Sequence, residues 1–468
     1  MQNHQGQANP TETASKLRKT IIIIASLSCF NGPFLGSSIT LALPSIGQEF
    51  HMGPVLLGWI NTSFLLTVAP LMIPFGRLGD MRGRRAIFIG GVYILIVVLM
   101  LTAMSHSSSM ILFYRAVQGL ASAMIFSSVI PMVVAAVPLS ERGYILGIVT
   151  AMTYLGISTG PFLGGIITHY LGWRYIFWFG FLLSLTLLFI AHLTLKSDRK
   201  EAEGEKFDVT GAMLLGCGLL ATMYGFSTMP SVKAVFLVAA GILILICFVL
   251  FEIKVTYPIV DVNLFRCNKA FAYSNLAALI NYASTFAVTF LLSLYLQWVK
   301  AMTPQYAGLI LVVQPVVQTL FSPLSGRMSD RIEPRFLASL GMTCTFIGLI
   351  MLIFLNAGSA TPYVVICLMI HGLGFGLFSS PNTNAIMSSV EDHVYGVASA
   401  TLSTMRQVGM TFSMGIVMMV MSILLGATDT MPAHPDGFIE SMRISFAVFA
   451  LMSLGGIFAS MARGNIKK

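Results

Sequence analysis

Gly76-Arg77-Leu78-Gly79-Asp80-Met81-Arg82-Gly83-Arg84-Arg85 has a shorter echo, Gly326-Arg327-Met328-Ser329-Asp330, 250 positions further along the chain. In the first copy glycines allow a tight turn, a carboxylate stands at a helix end, and three guanidinium groups lie beside it. The first copy lies between two uninterrupted apolar blocks, about Val55–Phe75 and Ala86–Met104. Either block is long enough to cross a bilayer, which takes roughly 20 residues at about 1.5 Å each. Two membrane helices joined by a charged turn at the membrane surface is therefore the local reading.

The same pattern extends in both directions. Apolar blocks precede and follow at about Ile21–Pro44, Ile111–Val137, Gly143–Ile167, Tyr175–Leu195, Val209–Met229 and Val232–Phe251. Six more run at about Ala270–Gln297, Pro304–Ser325, Phe336–Leu355, Val364–Ser388, Val397–Leu425 and Ile444–Met461, which makes fourteen in all. Of the 468 residues 56% are hydrophobic and 10% charged, against roughly 25% charged in a soluble domain. Blocks of this length without period-two alternation exclude a barrel, so the spans are helices. The expected fold is an all-α membrane protein with 14 transmembrane helices.

The net charge of +9 reads as topology, with no nucleic-acid partner implied. With a cytoplasmic amino terminus, 21 of the 27 Lys and Arg fall on that side. The outer side holds Arg174, Lys233, Lys300 and Arg443, and Arg115 and Arg406 lie inside helices. The positive-inside rule then places both termini in the cytoplasm of a cell-membrane protein. The first block lacks the short core and small-residue cleavage site of a signal peptide. The six cysteines show neither a disulfide framework nor a metal-ligand spacing, and read as apolar packing residues.

The loop echo is one of three. Gly119-Leu120-Ala121-Ser122-Ala123-Met124-Ile125-Phe126-Ser127-Ser128 is echoed by Gly372-Leu373-Gly374-Phe375-Gly376-Leu377-Phe378-Ser379-Ser380, and Gly143 through Gly156 by Gly396 through Gly409 at an offset of 253. Duplicated halves follow. The expected plan is a disordered cytoplasmic tail at 1–15, a six-helix half at 16–195, a charged loop (Lys196–Asp208) with two inserted helices at 196–269, and a second six-helix half at 270–468. Pseudo-symmetric halves that rock about a shared substrate site are a transporter's architecture. Neither an intramembrane enzyme nor a receptor has the same reason to be duplicated. No membrane nucleophile or paired acid points to an enzyme, and no loop is large enough to be a sensing domain.

Further motifs lie in order along the chain. Leu112-Phe113-Tyr114-Arg115-Ala116-Val117-Gln118-Gly119 sits in the fourth block, and Gly156-Ile157-Ser158-Thr159-Gly160-Pro161-Phe162-Leu163-Gly164-Gly165 in the fifth. Gly172-Trp173-Arg174-Tyr175-Ile176-Phe177 follows. Together with the loop at Gly76, these make the whole chain resemble the major facilitator superfamily. Within it the resemblance is to the fourteen-helix drug:proton antiporter branch. The resemblance implies a conformational switch at Gly76, Asp80, Arg82, Gly83, Arg84 and Arg85, and an antiporter-type motif at Gly156, Gly160, Pro161, Gly164 and Gly165. Physically, the glycines permit close helix approach and Pro161 removes one helical donor, which suits a seal between the halves as well as a hinge.

Arg115 lies roughly 10 Å inside the outer end of its helix. It reads either as a clamp onto the backbone of helix one or as a proton-relay or substrate contact. Arg406 lies roughly 14 Å deep, near the midplane, and reads as a pathway-facing cation or as a packed arginine bound to carbonyls. The branch commonly carries an aspartate in helix one; at that position this chain has Leu35. All eighteen acidic residues lie in tails, loops or helix ends, with Glu49, Asp208 and Glu252 nearest the membrane. The remaining interior polar residues form a candidate substrate pathway: Asn31, Asn61, Gln118, Asn281, Tyr282, Gln314, Gln318, His371, Asn382, Asn384 and Gln407.

The expected function is a proton-coupled exporter of small hydrophobic compounds. The alternative is a facilitator or importer of a specific anionic or neutral metabolite. The partners are a small-molecule substrate, protons and the lipid bilayer, with no cofactor and no metal.

Overall fold

The computed structural model describes residues 10–195, 207–255, 258–260, 262–329, 331–391, 395–426 and 435–464. Residues 1–9 of the expected tail, most of the charged loop Lys196–Asp208, and Asp330 of the second glycine loop lie outside the described residues. Among the described residues there is no strand, and fourteen helical spans are long and apolar enough to cross a membrane.

The first half comprises α1 (Pro10–Phe50), α2 (Pro54–Arg82), α3 (Arg84–Ala103), α4 (Ser108–Ala136), α5 (Leu139–Tyr170) and α6 (Arg174–Thr194). The inserted pair is α7 (Val209–Ser227) and α8 (Val232–Glu252), followed by the short α9 (Val262–Cys267). In the second half α10 (Lys269–Leu294) ends in a π turn, Tyr295–Val299. Next, α11 (Pro304–Leu311) and α12 (Val313–Ser329) share one span. The half closes with α13 (Pro334–Ile353), α14 (Thr361–Ser388), α15 (Tyr395–Leu425) and α16 (Pro435–Ala462). Residues 10–15 correct the tail reading, because α1 is already helical from Pro10. Nothing between Pro10 and Ile21 breaks a helix, and proline is tolerated in a first turn.

The halves repeat each other in contacts as well as in sequence. In the first, α1 packs on α5 and α6, α2 on α4, and α3 on α4 and α6; in the second, α10 packs on α15 and α16, α12 on α14, and α13 on α14 and α16. A Cβ on Gly119 would meet the Phe64 carbonyl at 2.4 Å, and one on Gly372 would meet the Gln314 carbonyl at 2.4 Å. Gly156 and Gly409 repeat the match, against the carbonyls of Phe30 and Leu279, again at 2.4 Å. Each needs glycine because backbone meets backbone there.

The inserted pair lies outside this repeat. α7 packs on α8 and on the α2–α15 pair, where Met223 joins Leu66, Ala69 and Val408 in an apolar cluster. Only 17% of the α8 span is buried, so α8 presents most of its surface to lipid.

Between the halves, α2 meets α15 and α5 meets α11 and α12. The end of the bundle bearing the Gly76 loop is here termed the basic end, and the opposite one the far end. At the far end Ser293 Oγ donates to the Thr40 carbonyl (3.1 Å) and Gln297 Nε2 to the Leu41 carbonyl (3.0 Å), tying α10 and its π turn to α1. The loops there are also braced. Glu49 takes a two-pronged bond from Arg174 (2.6 and 2.7 Å) and one from Trp173 Nε1 (2.8 Å). Lys300 Nζ donates to the carbonyls of Ala357 and Ser359, and Arg443 Nε to that of Leu355.

Candidate functional site

The far-end seal rests on the glycines of the fifth helix. Gly156, Gly160 and Gly164 of α5 press on α1, where added Cβ atoms would collide with the Phe30 carbonyl, Ser37 and Ser38. Ser38 Oγ donates to the Gly160 carbonyl at 3.0 Å. Gly165 turns to the other half, 2.7 Å in the same sense from the Pro304 carbonyl, and Gly308 of α11 sits 2.2 Å from the carbonyl of Pro161. The motif thus makes the seal between halves as well as the packing of α5 on α1.

Below the seal a row of hydroxyls crosses the seam. Ser158 of α5 pairs with Thr319 of α12 at 3.2 Å. Tyr154 accepts from Ser322 at 3.1 Å and donates to Ser379 of α14 at 3.2 Å. Nearer the basic end the seam parts. Gly147 lies eighteen residues before Gly165, about five turns, so both share one helix face. Gly147 is nevertheless exposed, with nothing within 4 Å of an added Cβ.

Arg406 lies next to the hydroxyl row. Its Nη2 donates to Thr383 Oγ1 (2.9 Å), whose hydroxyl donates to the Ser379 carbonyl. The guanidinium stands 5.5 Å from the centre of the Tyr282 ring, and Tyr282 meets Phe375 edge-on at 5.2 Å. Arg406 Nε and Gln407 Oε1 are buried without partners. A cation over an aromatic ring, two spare polar atoms and a phenylalanine edge can receive a planar, electron-rich or anionic group. No carboxylate pairs with Arg406 among the described residues.

The other interior candidates fall mostly within one half. Asn31 donates to Ser184 of α6, and Asn61 to Thr40 of α1. Arg115 corrects one expectation: its Nε bonds the Ile60 carbonyl (3.0 Å) of α2, not the backbone of helix one. Depth alone fitted either helix, and the packing of α2 on α4 decides between them. Arg115 Nη1 also bonds Gln118 Oε1 (2.8 Å), and Gln118 Nε2 bonds Thr102 of α3. In the second half Asn382 donates to the Ser274 carbonyl and Asn384 to Ser329. Gln314 and Gln318 lie where α12 crosses Gly372 and Gly376 of α14. His371 and Asn281 are wholly buried, with no side-chain partner. Of the pathway candidates, Tyr282 and Gln407 adjoin Arg406. Sequence reading missed Tyr154, Ser158, Thr319, Ser322 and Ser379.

At the basic end Gly83, at φ 107°, joins α2 to α3, a conformation that favours glycine. Asp80 bonds Arg84 Nε at 2.9 Å and Nη2 at 2.8 Å, four residues on. This partly exposed i,i+4 pair is worth under about 1 kcal/mol. Asp80→Asn is therefore expected to leave the melting temperature unchanged while cutting transport several-fold, as the switch role that the family resemblance implies for this loop requires. Normal turnover in Asp80→Asn would reduce the loop to a topology signal.

Two duplicated helical halves, sealed at the far end and meeting across a polar seam, define a membrane transporter. The Major Facilitator Superfamily model matches residues 23–414 and 274–465, and the chain belongs to that family. It is 25% identical over 442 residues to the riboflavin transporter RibZ of Clostridioides difficile (strain 630), covering 94% of this chain and 96% of that one. It is 28% identical over 478 residues to the cephamycin export protein CmcT of Amycolatopsis lactamdurans, covering 98% and 96%. Among solved structures, a bacterial homolog of the human lysosomal transporter Spinster, inward-facing and unoccupied, aligns with TM-score 0.67 at 14% identity over 97% of this chain and 98% of that one.

Proposed function

We propose that this chain exports small hydrophobic compounds, neutral or anionic, by alternating access driven by the proton gradient. The observation that carries the reading is Arg406, beside Tyr282 and Phe375, with no carboxylate partner among the described residues. A permanently cationic ligand there would be repelled. The charge count favours a cytoplasmic basic end, so the opening faces the cytoplasm and export begins there. Kinship with a cephamycin exporter agrees with this direction. Glu49 is held by Arg174 and Trp173, and His371 is enclosed within its half. Proton coupling then comes from the substrate's own ionisable group, or from Asp80 once its bond to Arg84 is released in the other conformation. A second reading, a facilitator or importer of a specific neutral or anionic metabolite, is favoured by the likeness to a riboflavin transporter.

The test is transport in proteoliposomes with an internal pH dye, with and without an imposed gradient. Neutral and anionic aromatic compounds are expected to move with protons, and a quaternary ammonium dye poorly or not at all. Arg406→Ala should slow the anions about tenfold, the loss of one charge-assisted bond, and Arg406→Lys less. Strong efflux of the quaternary dye, unchanged in Arg406→Ala, would refute the reading. Substrate movement indifferent to the pH gradient would favour the second.

A further inference from the structure

At the basic end of the second half, two arginines that the transport site does not use come to one level. Ser453 Oγ of α16 donates to the Met342 carbonyl of α13, and a Cβ on Gly456 would meet the Met342 side chain at 2.1 Å. The two helices run antiparallel. Arg335 stands seven residues before Met342, and Arg463 seven residues beyond Gly456. Seven residues are about two turns, so both guanidinium groups arrive at the same depth on adjacent helices.

Neither guanidinium is satisfied. Arg463 is 2% exposed; its Nε and Nη2 bond Ser460, while Nη1 is buried without a partner. Arg335 rests its guanidinium 4.7 Å over the Phe336 ring, and its Nε is likewise buried without a partner. Burial pushes the Arg463 guanidinium down, to about 10, against the charge of Glu333, which pulls it up. Glu333 thus acts on the buried Arg463, with Arg335 partly exposed and Arg331 exposed nearby. Spare guanidinium donors in a dry setting suit an oxyanion.

The surroundings say which one. Phe336, Leu340, Phe458 and Met461 are 42% to 69% exposed on the same two helices, an apolar flank of the kind that faces acyl chains. We propose that Arg335 and Arg463 form a binding site for the phosphate headgroup of an anionic phospholipid, whose acyl chains lie along Phe336, Leu340 and Phe458. A basic recess between helices at the membrane border is where such headgroups are held.

The test uses the purified full-length chain in neutral detergent, titrated with phosphatidylglycerol, phosphatidylcholine or inorganic phosphate. Bound lipid is counted by native mass spectrometry, and the thermal midpoint is followed in parallel. Phosphatidylglycerol should be retained and raise the midpoint, and phosphatidylcholine should do neither. Arg335→Gln and Arg463→Gln should each weaken phosphatidylglycerol about five-fold, the worth of one cation near an anionic headgroup. Arg463→Lys should weaken it less. Since Arg463→Gln also removes the Ser460 bonds, Arg335→Gln decides if the former fails to fold. Equal retention of phosphatidylcholine, or undiminished phosphatidylglycerol binding in Arg335→Gln, would overturn the site. Protection by inorganic phosphate equal to that by the lipid would overturn the lipid assignment.

Discussion

Gly308→Leu is expected to abolish transport while leaving a folded, membrane-inserted protein. Gly308 sits where a Cβ would lie 2.2 Å from the Pro161 carbonyl and 3.0 Å from Leu41 Cδ2. The near neighbour is backbone, so relief must come from α11 and α5 moving apart. Overpacking of this sort costs about 1–3 kcal/mol. Charged against the sealed conformation alone, that shifts a two-state equilibrium by about 5- to 150-fold. The check is a cysteine at Ser293, introduced after removal of the six native ones, probed with a membrane-impermeant maleimide. Its labelling should rise strongly in Gly308→Leu and moderately in Gly308→Ala. Unchanged labelling together with unchanged transport would mean that the Gly165–Gly308 contact is not the far-end seal.

Arg115→Ala is expected to be the most destabilising of the interior substitutions. The side chain is 4% exposed, holds the Ile60 carbonyl and Gln118, and lies 4.7 Å over the Phe64 ring. Truncation leaves the Gln118 amide oxygen buried without its donor and removes the second bond to the Ile60 carbonyl, each loss costing about 1–3 kcal/mol. A net loss of about 2–4 kcal/mol should appear as a clear fall in the unfolding midpoint. Arg115→Lys should recover part of it, because an ammonium lacks the fork that reaches Ile60 and Gln118 together. If Arg115→Ala melts like the parent yet fails to move protons, the clamp is wrong and the relay reading of this arginine stands.

Fourteen apolar blocks, the glycine loop and the echoes near offset 250 made the fold legible from sequence, since each rests on block length or on glycine at a backbone contact. The structure repays this in the matched contacts of Gly119 with Gly372 and of Gly156 with Gly409. The site was only half legible. A charge in the bilayer interior stands out, so Arg115 and Arg406 could be singled out, but their partners could not. The hydroxyl row was invisible for a different reason. Most serines and threonines in these helices bond their own preceding turn, as Ser28 does to Ile24, Thr62 to Gly58 and Thr102 to Val98. Tyr154, Ser322 and Ser379 differ only in facing the other half, and that depends on helix rotation.

The braced loops of the far end bear on how a product leaves. Arg174, Lys300 and Arg443 are three of the four cations that the charge count puts on that face, and each has donors committed to a carboxylate or to loop carbonyls. An anion there would find these three cations largely occupied, leaving the exposed Lys233 as the freer charge. Under the proposed export, the far-end mouth would be poorly adhesive to the anionic solutes proposed to bind at Arg406. Such a gradient of stickiness, high at midplane and low at the exit, would let release proceed quickly without any further conformational help.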